Sequence, residues 1–147
     1  FVLWWGVVEA MELRDIISHS VPSKVKSDAT VADALVAMME RKTDYVLVDR
    51  TGPDDAYAIV TRWDIVEKAI AEGVDITSTP AVSIARKPLV TTNNMDLDLR
   101  WVAKKMADEG VSKLAVFEKE NFLGFVSDMD VLRAVTGIPP PPKEAAR

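Results

Sequence analysis

The sequence predicts an α+β fold in which two β-α-β-β-α repeats pack sheet to sheet with pseudo-twofold symmetry. Two observations carry this prediction. The motif Thr61-Arg62-Trp63-Asp64 recurs in the second half as Ser127-Asp128-Met129-Asp130, and each copy lies between an apolar run and a helical pattern. The apolar runs, turns and helical patterns also follow the same order in both halves. One repeat alone would bury too little apolar surface to be stable, so we expect the two repeats to share a core.

The first half begins with a short predicted helix and continues as one repeat. Asp28-Ala29-Thr30 is an N-cap signal, and apolar residues at helical spacing follow it. Residues 45–48 are apolar throughout, which predicts a strand buried on both faces. The predicted elements are a helix over 12–22, a strand over 21–26, a helix over 31–41, strands over 45–48 and 57–60, and a helix over 64–72.

The second half repeats this order of elements. They are a helical turn over 81–85, a strand over 88–91, a helix over 97–109, strands over 113–117 and 122–126, and a helix over 130–135. The chain is therefore divided into four predicted parts. These are an apolar N-terminal extension over residues 1–11, a first repeat over 12–75, a second repeat over 76–137 and a disordered, proline-rich tail over 138–147.

Composition excludes several classes of function. The 147-residue chain carries a net charge of −5, and nucleic-acid binding needs a basic face, so we expect no nucleic-acid partner. There is no cysteine, which excludes disulfides, thiolate metal sites and a cysteine nucleophile. His19 is the only histidine, and no catalytic motif surrounds it, so we expect it to lie on the surface.

The N-terminal run Phe1-Val2-Leu3-Trp4-Trp5-Gly6-Val7-Val8 is apolar but too short to span a bilayer. It lacks the basic start and the small-residue cleavage site of a signal peptide. We therefore expect no membrane partner and a cytoplasmic location. The run is expected to pack on its own domain or on a neighbour, because an exposed pair of tryptophans is unfavourable in water.

The order of elements and their motifs resembles that of CBS domains. In the second half the resemblance is carried by residues 86–91, a helix that contains Met106, and the strands 113–116 and 123–126, the last of which leads into Ser127-Asp128-Met129-Asp130. The first half is similar to a second copy, with Ala58 where the family usually has glycine. Two copies imply a CBS pair, or Bateman module. Such modules are regulatory rather than catalytic and bind adenosine ligands, such as AMP, ADP or ATP, in clefts between the repeats.

The resemblance implies two ribose-binding positions. Asp64 with Thr61, and Asp130 with Ser127, match the family's ribose-binding residues. The chemistry is suitable, since one carboxylate can accept hydrogen bonds from both vicinal hydroxyls of a ribose. A hydroxyl residue three positions before a carboxylate is also a helix N-terminal signal, so each motif has a structural interpretation as well.

The adenine ring is expected to lie against apolar residues, and for each of these a role in the core is an alternative of at least equal weight. The expected adenine positions are Val25, Ala34, Thr43 and Ile59 for the first cleft, and Val90, Val102, Val111 and Phe125 for the second.

Phosphate contacts are expected to distinguish the two clefts. In this family the residue just before the middle strand of one repeat tends to face the phosphates bound by the other repeat. Those positions are assigned to Lys113 and Asp44. Arg62 lies within the first motif, where the second has Asp128. The Asp64 cleft is therefore expected to bind phosphates, and the Asp130 cleft is expected to be acidic and to repel them. Lys42, Arg86 and Lys87 could offset this repulsion, with Arg86-Lys87 either as phosphate ligands or as a solvated edge.

Three other functions compete with nucleotide sensing. One is a structural dimerisation module with vestigial clefts, which Ala58 and the acidic second cleft would favour. Another is binding of S-adenosylmethionine, whose cationic groups suit an acidic cleft. An enzyme is the third, but no glycine-rich phosphate loop or metal-ligand cluster accompanies the carboxylates. We expect no required cofactor, a homodimer formed through helices 64–72 and 130–135, and an unknown effector protein as the further partner.

Overall fold

The computed structural model describes residues 11–17 and 22–136, and the structural statements below concern these residues. The predictions for the apolar run at residues 1–8, for His19 and for the tail at 138–147 lie outside them. The chain divides into two compact units. The first-half unit comprises Val21–Leu89, and the second-half unit combines Val90–Arg147 with the N-terminal segment Phe1–Ser20.

Each unit has an α+β composition and contains one three-stranded sheet. The helices and strands are α1 (Leu13–Ile16), β1 (Lys24–Val25), α2 (Val31–Arg41), β2 (Tyr45–Val48), β3 (Ala58–Thr61), α3 (Arg62–Ile65), β4 (Thr91–Thr92), α4 (Leu99–Glu109), β5 (Lys113–Glu118), β6 (Asn121–Ser127) and α5 (Asp128–Thr136). A π-helical segment, Val66–Ile70, continues α3, and a 3-10 turn covers Ala81–Ser83. The predicted α+β class with tandem repeats is confirmed, whereas the packing of sheet on sheet stays a prediction.

The sheet of the first-half unit has the order β1-β2-β3, with β1 parallel and β3 antiparallel to β2. Helix α2 begins in a capping box, in which Thr30 Oγ1 accepts from Asp33 N and Asp33 Oδ2 accepts from Thr30 N. It ends at Lys42, which adopts the left-handed conformation. The buried side chains of α2, β2 and β3 form one apolar cluster, with Val31, Ala34, Met38, Val46, Val48 and Val60 among its members.

The second-half unit repeats this topology as β4-β5-β6. Asp98 caps α4 by accepting from Trp101 N at 3.0 Å. The helix ends at Gly110, whose φ of 65° suits glycine. The cluster of this unit contains Val102, Met106, Leu114, Val116 and Val126 from α4, β5 and β6.

Leu13 completes the core of the second-half unit from the far end of the sequence. Its side chain is fully buried, and its backbone N–H donates to Leu97 O at 2.7 Å. Leu99 N donates to Met11 O at 2.9 Å, so residues 11–13 run beside the start of α4. The spatial unit is therefore discontinuous in sequence, and a segment grouped with the first repeat in sequence packs with the second-half elements.

Several predicted boundaries are corrected by the structure. The helix predicted over 12–22 is the single turn α1, because Ile17 already adopts an extended conformation. The strand predicted over 88–91 starts later and covers Thr91–Thr92, and Pro88 has no N–H to donate to a sheet. The last helix starts at Asp128, directly after β6. The predictions for α2 and β2 are confirmed residue by residue.

Candidate functional site

Asp64 lies at the point where β3 turns into α3, and its carboxylate caps the helix. Asp64 Oδ2 accepts from the backbone N–H of Thr61 at 2.9 Å and from its hydroxyl at 3.0 Å. In return, the N–H of Asp64 donates to Thr61 Oγ1 at 3.2 Å. The motif therefore forms a complete capping box, and the structural interpretation of Thr61 and Asp64 holds. Capping occupies Oδ2 and leaves Oδ1 for other partners.

Asp130 has the same position at the end of β6. Asp130 Oδ2 accepts from Ser127 N at 2.8 Å, and Asp130 N donates to Ser127 Oγ at 3.1 Å. The two carboxylates are similarly sheltered, with 15% of the Asp64 side chain and 18% of the Asp130 side chain exposed. The duplicated motif thus places two carboxylates in equivalent geometry, one in each unit.

The remaining oxygen of each carboxylate faces a cation that sequence analysis did not single out. Lys68 Nζ lies 3.1 Å from Asp64 Oδ1 and also donates to Ile84 O at 3.3 Å. Arg133 Nη1 lies 3.9 Å from Asp130 Oδ1. The spacing of the charges, four and three residues along a helix, is the signal that could have identified both. We name Thr61, Asp64, Lys68 and Ile84 the Asp64 site, and Ser127, Asp130 and Arg133 the Asp130 site.

The sheet register corrects one comparison between the two repeats. Lys113 is the first residue of β5 and pairs with Ser127, while Tyr45 is the first residue of β2 and pairs with Thr61. Lys113 is therefore equivalent to Tyr45. The comparison of Lys113 with Asp44 was wrong, because Asp44 precedes the residue that aligns with Lys113. Neighbouring residues along a strand face opposite sides of the sheet, so a shift of one residue compares side chains that are not equivalent. The role of Lys113 as a phosphate ligand stays a prediction.

Backbone hydrogen bonds identify two further pairs of equivalent positions in the repeats. One pair lies just before the middle strands, and the other directly follows Thr61 and Ser127. Asp44 O accepts from Arg62 N at 3.0 Å, and Ser112 O accepts from Asp128 N at 2.8 Å. Asp44 is therefore equivalent to Ser112. Arg62 and Asp128 are equivalent and both exposed, so their opposite charges remain a true difference between the sites.

The expected adenine positions agree in part between the repeats. Ile59 and Phe125 are equivalent, and so are Thr43 and Val111, whose N–H groups donate to Met38 O and Met106 O. Val25 and Val90, however, are not equivalent. The residue that matches Val90 is Ser23, since Ser23 O and Val90 O accept from Leu47 N and Ala115 N. The first strands are too short for the sequence to define their alignment.

Burial separates these positions further. Ala34 and Val102 are fully buried in the two cores, as the core alternative proposed. Ile59 and Phe125 are nearly buried at 8% and 6% exposure, and Phe125 packs edge-on against Phe122. The half-buried positions are Val25, Thr43, Val90 and Val111. Within the first-half unit, β3 brings Ile59 close to Thr61 and Asp64, and Thr43 Oγ1 donates to the carbonyl of Tyr45, the strand partner of Thr61.

Arg86 and Lys87 run beside the same strand. Arg86 N donates to Ile59 O at 2.9 Å, and Ile59 N donates to Arg86 O at 3.0 Å. Lys87 Nζ lies 2.5 Å from Asp55 Oδ1, and this ammonium, with hydrogen bonds from Thr51, holds the pKa of the Asp55 carboxyl well below its usual range. The charge of Lys87 is thus offset by Asp55, which argues against Lys87 as a phosphate ligand.

The lowered pKa of Asp55 predicts acid sensitivity. Because the folded state binds this proton less tightly than the unfolded state, the contribution to stability is complete well above the ordinary pKa of about 4. It is lost progressively as pH falls below that value and through the lower pKa of the folded state. We expect Asp55→Asn to have a lower free energy of unfolding than the wild type at pH 7. The difference between the two proteins should become smaller as pH falls from about 5 to about 2. Denaturant titrations at several pH values measure this gap.

Asp54→Asn is the matched control, because Asp54 is an exposed neighbour in the same turn. Asp75, whose pKa is lowered by hydrogen bonds from Thr77, keeps some acid sensitivity in both variants. A gap that stays constant from pH 7 to pH 2 would contradict the assignment.

Residues 11–17 and 22–136 contain no cluster of three side chains suited to hold a metal ion. Across the same residues, no helix has the length and apolarity that a membrane crossing needs.

Comparisons with known proteins give the same duplicated architecture. The family model for the CBS domain matches residues 13–71 and again 75–137. A hexameric CBS-CP12 protein from bloom-forming cyanobacteria is 32% identical, with a TM-score of 0.75 over 83% of this chain and 70% of that one. A comparison with curated protein sequences gave no match.

Two further solved structures contain adenosine ligands. The CBS domain of a bacterial CNNM/CorC family Mg2+ transporter, in complex with ATP, is 19% identical, with a TM-score of 0.74 over 92% of this chain and 94% of that one. The CBS domain pair of protein MJ0100, in complex with 5′-methylthioadenosine and S-adenosyl-L-methionine, is 22% identical, with a TM-score of 0.70 over 86% and 97%. At these identities the likeness concerns the fold.

Two sheets of identical topology, each followed by a carboxylate that caps the next helix, define a tandem-repeat α+β fold. The chain belongs to the CBS-domain family and contains two CBS domains.

Proposed function

We propose that this protein is a regulatory, non-catalytic module that binds an adenosine ligand, and that AMP, ADP or ATP occupies the Asp64 site. The observation that carries the proposal is the duplicated, sheltered carboxylate at the end of β3 and β6. Each carboxylate has an oxygen that the capping box leaves unused, and a ribose diol requires such acceptors. The complexes of similar folds with ATP and with S-adenosylmethionine support this class of ligand.

Phosphate recognition would come from two cations, Lys68 in the Asp64 site and Arg62 beside it. Arg62 is exposed on the first turn after Thr61, and Lys68 lies against the carboxylate itself. Asp128 replaces Arg62 at the Asp130 site and would repel a phosphate. We therefore favour the Asp64 site for a phosphorylated ligand, with Lys113 as a further phosphate ligand.

A thermal-shift screen of AMP, ADP, ATP and S-adenosylmethionine tests the class of ligand. A ligand at a hundred times its dissociation constant adds about 2.7 kcal/mol to the stability of the folded state. We expect a rise in melting temperature with at least one adenine nucleotide. Guanosine nucleotides serve as the control, and an equal response to both bases would contradict adenosine recognition.

S-adenosylmethionine at the Asp130 site is an alternative that the acidic pair Asp128 and Asp130 favours. Its sulfonium and ammonium groups suit carboxylates. Arg133 argues against it, because this guanidinium lies near Asp130. A structural dimerisation module with vestigial sites is the other alternative, but Ala58 gives it only weak support. Ala58 is buried in a regular strand pair at the position that corresponds to Gly124.

We further propose a homodimer formed through α3 with its π-helical continuation and through α5. Both helices carry large apolar side chains that are half exposed or more: Trp63, Val66, Ile70, Met129 and Leu132. An apolar groove of about 430 Å³ between α4 and α5 includes Met106, Val111 and Leu132. Exposed apolar surface of this kind is typical of an interface. The effector protein and the cytoplasmic location stay predictions.

Val66→Glu tests the dimer. We expect the variant to raise the dimer dissociation constant at least about tenfold, or roughly 1.4 kcal/mol, because a charge would be buried in the interface. Val36→Glu is the matched control, since Val36 is equally exposed, at 53% against 50%, on a different helix. Sedimentation velocity over a concentration series reads the assembly. A wild-type monomer at all concentrations, or equal effects of both variants, would contradict the proposed surface.

A further inference from the structure

Lys68 connects the carboxylate of the Asp64 site to a second segment of the first-half unit. Its ammonium lies 3.1 Å from Asp64 Oδ1 and 3.3 Å from the carbonyl oxygen of Ile84. Ile84 follows the 3-10 turn and is far from Lys68 in sequence. Since Asp64 Oδ2 already accepts two hydrogen bonds from Thr61, the ammonium lies on the one oxygen that capping leaves unused.

The helix that carries Lys68 has a special geometry. After Ile65 the backbone becomes π-helical over Val66–Ile70, and Ala71 N donates to Val66 O, five residues back. A π-helical turn accommodates an extra residue and is frequent at functional sites. Helix α5 is α-helical over Asp128–Thr136, and its cation, Arg133, is three residues from the carboxylate and at a longer distance of 3.9 Å. The two sites therefore hold their cations differently.

This arrangement creates competition for Asp64 Oδ1. A ribose diol that donates to this carboxylate must share or replace the ammonium there, because Oδ2 is already occupied by the capping box. An ammonium moved from a sheltered carboxylate loses a charge-assisted hydrogen bond. A neutral nucleoside offers no charge to replace it, whereas a phosphorylated nucleoside offers anionic oxygens.

We propose that Lys68 makes the Asp64 site selective for phosphorylated over unphosphorylated adenosine, by opposing ribose binding until a phosphate provides a new partner for its ammonium. The inference rests on the proposed function and assigns a selectivity role to a residue outside the Thr61–Asp64 motif. A lysine suits this role, since its flexible stem and three donors allow contact with Ile84 O and with an anion at the same time.

The ratio of affinities for AMP and adenosine tests the inference. Lys68→Met keeps most of the stem and removes the charge. We expect AMP to bind about tenfold more weakly, the loss of one charge-assisted hydrogen bond, and adenosine to bind as well as before or better. The preference for AMP should therefore fall at least about tenfold. Lys68→Arg keeps the charge and should therefore retain most of the preference for AMP over adenosine.

Arg133→Met in the Asp130 site is the matched control and should leave the ratio unchanged. Calorimetric titration of AMP and of adenosine into the full chain measures all four proteins. Melting temperatures verify folding, and Lys68→Gln provides a second neutral variant should Lys68→Met fail to fold.

The outcomes separate this inference from the proposed function. If AMP binds the wild type but the neutral variants lose affinity for AMP and adenosine in parallel, Lys68 has a structural role only and the selectivity role is overturned. An unchanged ratio overturns it too. If the wild type binds neither adenosine nor any adenine nucleotide, the proposed function fails together with this inference.

Discussion

Replacing Leu13 by alanine is expected to reduce the free energy of unfolding by about 2–5 kcal/mol, a range typical of fully buried leucines. Leu13 is inaccessible to solvent and packs in the cluster that contains Val102, Leu114 and Val126. The loss has two parts, the transfer free energy of the missing methyl groups and the cavity that they leave. A one-turn helix at the end of a chain would contribute little by itself, so the effect measures how firmly the segment is integrated into the second-half unit.

Chemical denaturation of the full chain measures this change. Met39→Ala is the control, because Met39 is 70% exposed on α2 and its truncation should change stability by less than about 0.5 kcal/mol. A loss below about 1 kcal/mol for Leu13→Ala would show that residues 11–17 are peripheral. Such a small loss would contradict the assignment of residues 11–17 to the core of the second-half unit.

Asp64→Ala is expected to weaken AMP binding by about ten- to a hundredfold, or 1.5–3 kcal/mol, because hydrogen bonds to a charged acceptor are lost. The same change removes the acceptor of the capping box at Thr61, so some stability is lost as well. Asp130→Ala removes an equivalent cap from Ser127 and is therefore the matched control. We expect it to change AMP affinity less than about threefold, since Asp128 in place of Arg62 disfavours phosphate there.

Parallel titrations of AMP into the two variants give this comparison. Equal losses would mean that the effect comes through the helix caps or that both sites bind alike. A loss confined to Asp130→Ala would reverse the assignment of the sites.

The best-predicted elements are those whose ends are encoded locally. Helix α2 was predicted without error because Thr30 and Asp33 form a capping box at its start. Strand β2 was predicted without error because its residues are continuously apolar and are flanked by polar turns. In the same way, the two motifs predict equivalent positions for Asp64 and Asp130.

The errors concern features that depend on distant contacts. Strands β1 and β4 have two residues each, so their alignment is determined by neighbours such as Leu47 and Ala115 rather than by a period of their own. Nothing in residues 11–17 indicates the unit on which Leu13 packs. The four-residue spacing from Asp64 is a local signal for Lys68, but the second contact of this lysine, Ile84 O, lies sixteen positions away and has no sequence signature.

Calorimetric titration of AMP into the wild-type chain tests the central claim most directly, because it measures binding of an adenosine ligand without a reporter. The proposal predicts saturable heat with a dissociation constant well below 1 mM, and competition between AMP and ATP for the same site. The absence of saturable binding by AMP, ADP, ATP and S-adenosylmethionine up to about 1 mM, which corresponds to a binding free energy weaker than about −4 kcal/mol, would contradict it.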